Sequence, residues 1–137
     1  EDKPDDTWVY YGLNDFTSLR NDQVRFLKEE LRSRDFRKAA RHILVSHIPV
    51  FANTDKYQPC TELFGSLLKG QPFDLALCAH VHETAFYEKG TSGAPFPIFR
   101  GGGPSVEDCS VAVLTKRGKK LELSVLTPEG QLLSKTL

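Results

Sequence analysis

The chain contains no methionine. A natural translation product begins with one, so Glu1 is expected to mark a processed product, a domain or a fragment. For the same reason, the lack of a signal peptide says nothing about compartment. No apolar run approaches the ~20 residues of a membrane-spanning helix. An excess of one charge is missing too, since Lys+Arg and Asp+Glu both count 18. A surface built for nucleic acid or anionic lipid carries a basic field, which this balance does not supply. Cysteines are few, and Cys60, Cys78 and Cys109 form no CxxC pair, which argues against a cysteine zinc cluster. Three is odd, so at least one thiol is free or pairs outside the chain. Cys78, inside an apolar run, reads as a small buried hydrophobe.

What is present is an ordinary globular composition, 39% hydrophobic and 10% aromatic over 137 residues, enough for one domain and not two. Trp8–Tyr11 is aromatic and β-prone, and Asn14–Ser18 supplies helix-start residues. From Leu19 to Ser33, Val24, Leu27 and Leu31 recur at helical spacing, which predicts an amphipathic helix packed on a sheet. Its charges (Arg25, Lys28, Glu29, Glu30, Arg32) read as a solvated face. Arg34–Arg41 reads as a basic connecting loop.

His42–Ser46 is expected to be a short buried strand, and Pro49 turns the chain into a polar loop that runs to Pro59. Thr61 is placed as the cap of a second helix, with Leu63, Phe64, Leu67 and Leu68 as its apolar stripe and Gly70 as its stop. A second buried strand follows over Phe73–Ala79. Strand, helix, strand spells one βαβ unit with parallel pairing. Thr84–Glu88 and Pro97–Arg100 are strand-like, and Gly101–Gly103 reads as a turn needing positive φ. A hairpin follows (Cys109–Thr115 with Leu121–Leu126), then a turn at Thr127–Gly130 and an edge strand, Gln131–Leu137. The fold class is α/β, one βαβ unit followed by a β meander.

The residues that carry chemistry are histidines. His47 ends the first strand of the unit, and His80 and His82 end the second. On open α/β sheets, ligands collect beyond the carboxyl ends of the strands. An HxH pair on a strand points both imidazoles the same way, about 7 Å apart at Cα, a span that allows one metal to be chelated or two to be bridged. Neutral imidazole is a first-choice ligand for zinc and iron. His42 starts its strand at the opposite edge and reads as structural. Gly101–Gly103 precedes no helix, so a phosphate cradle is not supported. Among Asp55, Glu62, Asp74, Glu83 and Asp108, no spacing singles one out. A histidine-triad hydrolase would need a third histidine at position 84, which is Thr84.

Val45-Ser46-His47-Ile48-Pro49, followed one helix and one strand later by Ala79-His80-Val81-His82, resembles the last two motifs of the calcineurin-like metallophosphoesterases, which include purple acid phosphatases. The helix with Gln23, Phe26, Leu27 and Leu31 is similar to one upstream of those motifs in the family. Tyr10-Tyr11-Gly12-Leu13, the Gly-Gly-Gly-Pro turn and the Pro-Glu-Gly hairpin look like those of bacterial members with extracytoplasmic domains. The resemblance runs over essentially the whole chain. It implies a four-layer β-sandwich of which residues 1–137 are the C-terminal half. It further implies a two-metal site of Fe, Mn or Zn, with His47 and His80 on one ion and His82 on the other, clamping a phosphate ester for in-line attack. The family's three earlier motifs (Asp-x-His, Gly-Asp with a further Asp or Tyr, and Gly-Asn-His) have no counterpart here, and Ala79 stands where the family usually has Gly.

Three ligands without the bridging carboxylate, the asparagine and the general-acid histidine imply a piece that is inactive alone. Its partners would be the phosphate ester, the missing N-terminal half or a second copy of the chain, with no nucleic acid and no membrane span. The rival expectation is a non-catalytic metal-binding or structural domain whose histidines serve packing.

Overall fold

The structure is a computed structural model and describes residues 16–52 and 59–137. The expectations for Trp8–Tyr11, for Asn14 and Asp15, and for loop positions 53–58 lie outside the described residues. The chain divides into two compact units, Glu1–Ala39 and Ala40–Leu137.

The first unit holds α1 (Phe16–Glu30) and α2 (Arg34–Lys38). The periodic segment therefore stops three residues before Ser33, and the expected basic loop is largely helical. Ser33 explains both differences. Its hydroxyl accepts the Phe36 N–H at 2.9 Å and caps a new helix, satisfying a donor that would otherwise be orphaned. Asp35 in the first turn, and Arg37 and Lys38 in the last, suit the dipole of that helix. On α1 the charged positions are exposed as expected, with Arg25 paired to Asp22 at 3.0 Å. No residue of α1 is buried.

The second unit carries two sheets. The first is made by β1 (Ile43–Val45), β2 (Leu75–Cys78), β3 (Ala85–Tyr87) and β4 (Ile98–Arg100), in the order β1-β2-β4-β3. β1 and β4 both run parallel to β2, and β3 pairs antiparallel to β4. The second sheet is the antiparallel meander β5 (Val111–Arg117), β6 (Lys120–Thr127) and β7 (Gly130–Thr136). The fold is α/β with a β meander. Two-residue turns join its strands: Gly118, at φ 61°, takes the first central position that a type II′ turn reserves for glycine. β1 was expected to be buried, yet it is an edge strand among the described residues, and Val45 is 73% exposed.

Period-2 patterning brings the two sheets together. Leu121, Leu123 and Val125 of β6 are buried, whereas Lys120, Glu122 and Ser124 between them are not. Leu123 and Val125 meet Leu75 and Phe99 of the first sheet, with Ile43, Leu77, Phe86, Ala112, Leu114 and Leu133 around them. Burying each such side chain contributes about 1.5–3 kcal/mol. On the opposite face, Leu44, Ala76, Cys78 and Ile98 are covered by Val50, Phe51 and Phe96. α3 (Pro59–Leu68) reaches that layer where Phe51 packs beside Gly65.

Thr61 is not the cap of α3. The helix already starts at Pro59, a residue suited to a first turn, and the Thr61 hydroxyl donates to the Val50 carbonyl instead. Gly70, at φ 84°, stops the chain's helical course as expected. No helix among the described residues is long and apolar enough to cross a membrane.

Candidate metal site

The parallel ladder between β1 and β2 runs past both strands and delivers the histidines. The Ser46 N–H bonds the Leu77 carbonyl at 3.0 Å, and the Ala79 N–H bonds the His47 carbonyl at 3.0 Å. The two chain exits are thus stitched together up to the residue before His80. His47 Nε2 and His80 Nδ1 then stand 3.3 Å apart, with the rings nearly perpendicular at 81°. His47 is exposed and His80 half-buried.

The expected strand geometry of His80-Val81-His82 is corrected. β2 ends at Cys78, and both histidines lie in the left-handed region, His80 at φ 69° and His82 at φ 59°. The Val81 N–H closes onto the Ala79 carbonyl at 2.8 Å. His80 is therefore the centre of a γ-turn, a strained conformation for a residue with a side chain. The imidazoles do not project side by side from a strand; a tight turn aims His80 at His47. The ladder gives no warning of the turn, because the Ala79 N–H bonds the exit of β1 just as the Leu77 carbonyl does two residues earlier.

His82 is exposed and sits beside the glycine loop after β4. A side chain at Gly103 would begin 3.6 Å from His82 Cβ and 3.1 Å from Asp108 Cβ. Asp108 thus lies on the His82 side of the site, its carboxylate accepting from the Ser105 hydroxyl at 2.9 Å. Positive φ is not what Gly101–Gly103 supply, since none of the three adopts it. They permit close approach: the Gly102 N–H reaches Ser110 Oγ at 2.9 Å, and the Gly103 N–H reaches the Asp108 carbonyl at 2.9 Å.

Other singled-out residues lie elsewhere. His42 is at the far end of β1, its ring edge-on to Phe73 at 6.5 Å and its N–H on Asp74 at 2.8 Å. Cys78 is buried and donates to the Phe99 carbonyl at 3.6 Å; burial pushes its thiol up to about 11, only partly opposed by the Arg100 charge. Glu62 is exposed on α3. Among the described residues, no group of three or more His, Cys, Asp or Glu side chains is arranged to hold a metal ion. The structure brings together two of the three histidines.

Sequence reasoning missed Arg100 and weighed Glu83 without singling it out. Arg100 is 1% exposed, and its guanidinium bonds the Glu83 carbonyl and carboxylate at 3.1 and 2.8 Å and the Ala52 carbonyl at 3.1 Å. The available signal was a single cation closing the otherwise apolar strand Pro97-Ile98-Phe99-Arg100. No family model matches the chain, and no curated protein matches it.

Proposed function

We propose that this chain supplies the closing histidine ligands of a two-metal phosphoesterase, with His47 and His80 on one ion and His82 on its neighbour. One observation carries the reading: the 3.3 Å separation of His47 Nε2 and His80 Nδ1 at the ends of adjacent parallel strands. Two imidazole nitrogens on one tetrahedral ion, each at about 2.0–2.1 Å, stand about 3.3–3.4 Å apart. The same spacing is loose for a hydrogen bond, which prefers about 2.7–3.2 Å. The left-handed conformations of His80 and His82 support it further, because strain of this kind persists where a site requires it.

The donor set fits Zn, Fe or Mn. With Nδ1 of His80 and Nε2 of His47 as donors, the proton of each neutral ring would sit on the other nitrogen. Metal ions bound there would polarise a phosphoryl oxygen and lower the pKa of an attacking water. His82, at φ 59° and exposed beside Gly103 and Asp108, lies two residues beyond His80 and would serve the neighbouring ion. Two nitrogens make an incomplete coordination shell, so the reading requires donors from a further segment or chain, and the chain alone is expected to be inactive.

The rival reading, a structural pair without metal, is favoured by the fact that the described residues bring only two ligands together. Equilibrium dialysis against Zn²⁺, Mn²⁺ and Fe²⁺ decides between them. His47→Ala and His80→Ala are expected each to weaken the same site at least tenfold, with His42→Ala unchanged. Equal uptake by all four proteins would support the structural pair.

A further inference from the structure

We propose that Arg100 is the positioning residue of the histidine pair: its buried guanidinium holds together the two segments that deliver His47 and His80. Arg100 ends β4, next to Cys78 at the end of β2. One nitrogen donates to the carbonyl of Ala52, in the segment that continues from His47 through Pro49. Two others grip Glu83, the residue directly after His82, through its carbonyl and its carboxylate. The Tyr87 ring lies 5.4 Å from the guanidinium carbon and closes the remaining side. Both gripped segments contain left-handed residues, Ala52 at φ 61° on one and His80 and His82 on the other.

A purely structural role explains this arrangement poorly. Burying a cation is costly, and an apolar side chain of similar volume is often neutral or better for stability. The ion pair is also lopsided, because the Glu83 side chain is 72% exposed while that of Arg100 is 2% exposed. What the guanidinium supplies, and no apolar residue can, is a rigid fork of donors directed at three oxygens on two chain segments. Lysine, with one compact ammonium, cannot span the same three acceptors. The geometric claim stands on these contacts; only its consequence for metal affinity rests on the phosphoesterase reading.

The test compares the 137-residue chain with Arg100→Met and Arg100→Lys by nuclear Overhauser contacts between the His47 and His80 ring protons, with the amide pattern of the meander as the control for folding. The parent chain is expected to give the contacts, and both folded variants to lose them while the meander signals persist. Contacts of unchanged intensity in a folded variant would overturn the proposal. So would failure of both variants to fold, which would assign Arg100 to the fold as a whole. Zn²⁺ titration supplies the second readout, with an affinity expected to fall about ten- to hundredfold in the folded variants. Unchanged Zn²⁺ affinity in a variant counts against positioning. A parent chain that binds no Zn²⁺ leaves the ring-contact result to decide the role of Arg100.

Discussion

The carbonyl oxygen of Asp108 stands where the first side-chain atom of any other residue at Gly102 would have to be, and the Thr84 hydroxyl is 2.7 Å from the same point. The obstruction is main chain, tied down on both sides by the Gly102 and Gly103 N–H bonds, so it cannot swing away. Gly102→Ala must part the glycine loop from residues 108–110 and is expected to cost about 3 kcal/mol or more, the upper end of overpacking effects. At Gly101 the nearest atom to an added methyl is the Cys78 carbonyl oxygen at an ordinary 3.6 Å, so Gly101→Ala is expected to cost under ~1 kcal/mol. Urea midpoints of the two variants check this, and equal shifts would refute it.

Cys78 gives a pH signature. Its thiol is buried against the Phe99 carbonyl and pushed from an ordinary 9.0 to about 11. A group whose native pKa is raised keeps its proton longer in the folded chain, so its contribution is complete below about pH 9. That contribution fades as pH climbs through 11. Cys78→Ala is expected to flatten this part of the stability profile between pH 9 and 11. At pH 7.5, a thiol reagent is expected to label the half-buried Cys60 and Cys109 first and Cys78 only after unfolding. Labelling of all three at one rate would contradict the packing described.

At the opposite end of the first sheet, Asp74 joins three pieces of chain. Its carboxylate accepts from the Arg41 guanidinium and from the His42 N–H, and the same Arg41 donates to the Lys119 carbonyl in the meander turn. The pair is partly solvated, with side-chain exposures of 29% and 20%, so its Coulomb energy is damped. Directional bonds remain. Asp74→Ala is expected to cost about 1–3 kcal/mol, because it strands a backbone donor as well as the guanidinium. Asp74→Asn keeps an acceptor for the His42 N–H and is expected to cost less. Thermal unfolding of both variants orders them, and an Asn variant as unstable as the Ala variant would show that the charge dominates.

The βαβ unit and the meander were legible because each rests on a local pattern. The apolar run before His80, the stripe ending at Gly70, and the alternation Leu121, Leu123, Val125 report burial directly, whereas the run before His47 showed a strand but not that it lies at an edge. α2 was hidden by its own charges: Arg34, Arg37 and Lys38 suggested a loop, while the one residue that decides the matter, Ser33, needs only a hydroxyl to accept the Phe36 N–H. The histidine turn was harder. His-x-His suits a strand end equally well, and the turn is closed by one main-chain bond, Val81 N–H to the Ala79 carbonyl, that involves no side chain. For Arg100 the lone cation closing an apolar strand marked the residue but not its partners, because two of its acceptors are the main-chain carbonyls of Glu83 and Ala52, 17 and 48 residues away, and main-chain acceptors carry no side-chain signature.

The strain at His80 sets up the sharpest test of whether the turn serves a site or merely tolerates a histidine. Glycine relieves a φ of 69° without disturbing the Val81 N–H bond to Ala79, since it has no Cβ to clash. His80→Gly is therefore expected to match or exceed the parent chain in stability, by up to about 1 kcal/mol after the entropy of the added glycine is offset. His80→Ala keeps the left-handed strain and loses the ring, so it is expected to gain nothing. If His80→Gly melts higher while Zn²⁺ uptake falls at least tenfold, the turn holds strain in exchange for aiming a ligand, as the phosphoesterase reading requires. If His80→Gly is instead less stable than His80→Ala, the turn is not under the strain that its dihedral implies, and the support that strain lends to a functional histidine at this position is lost.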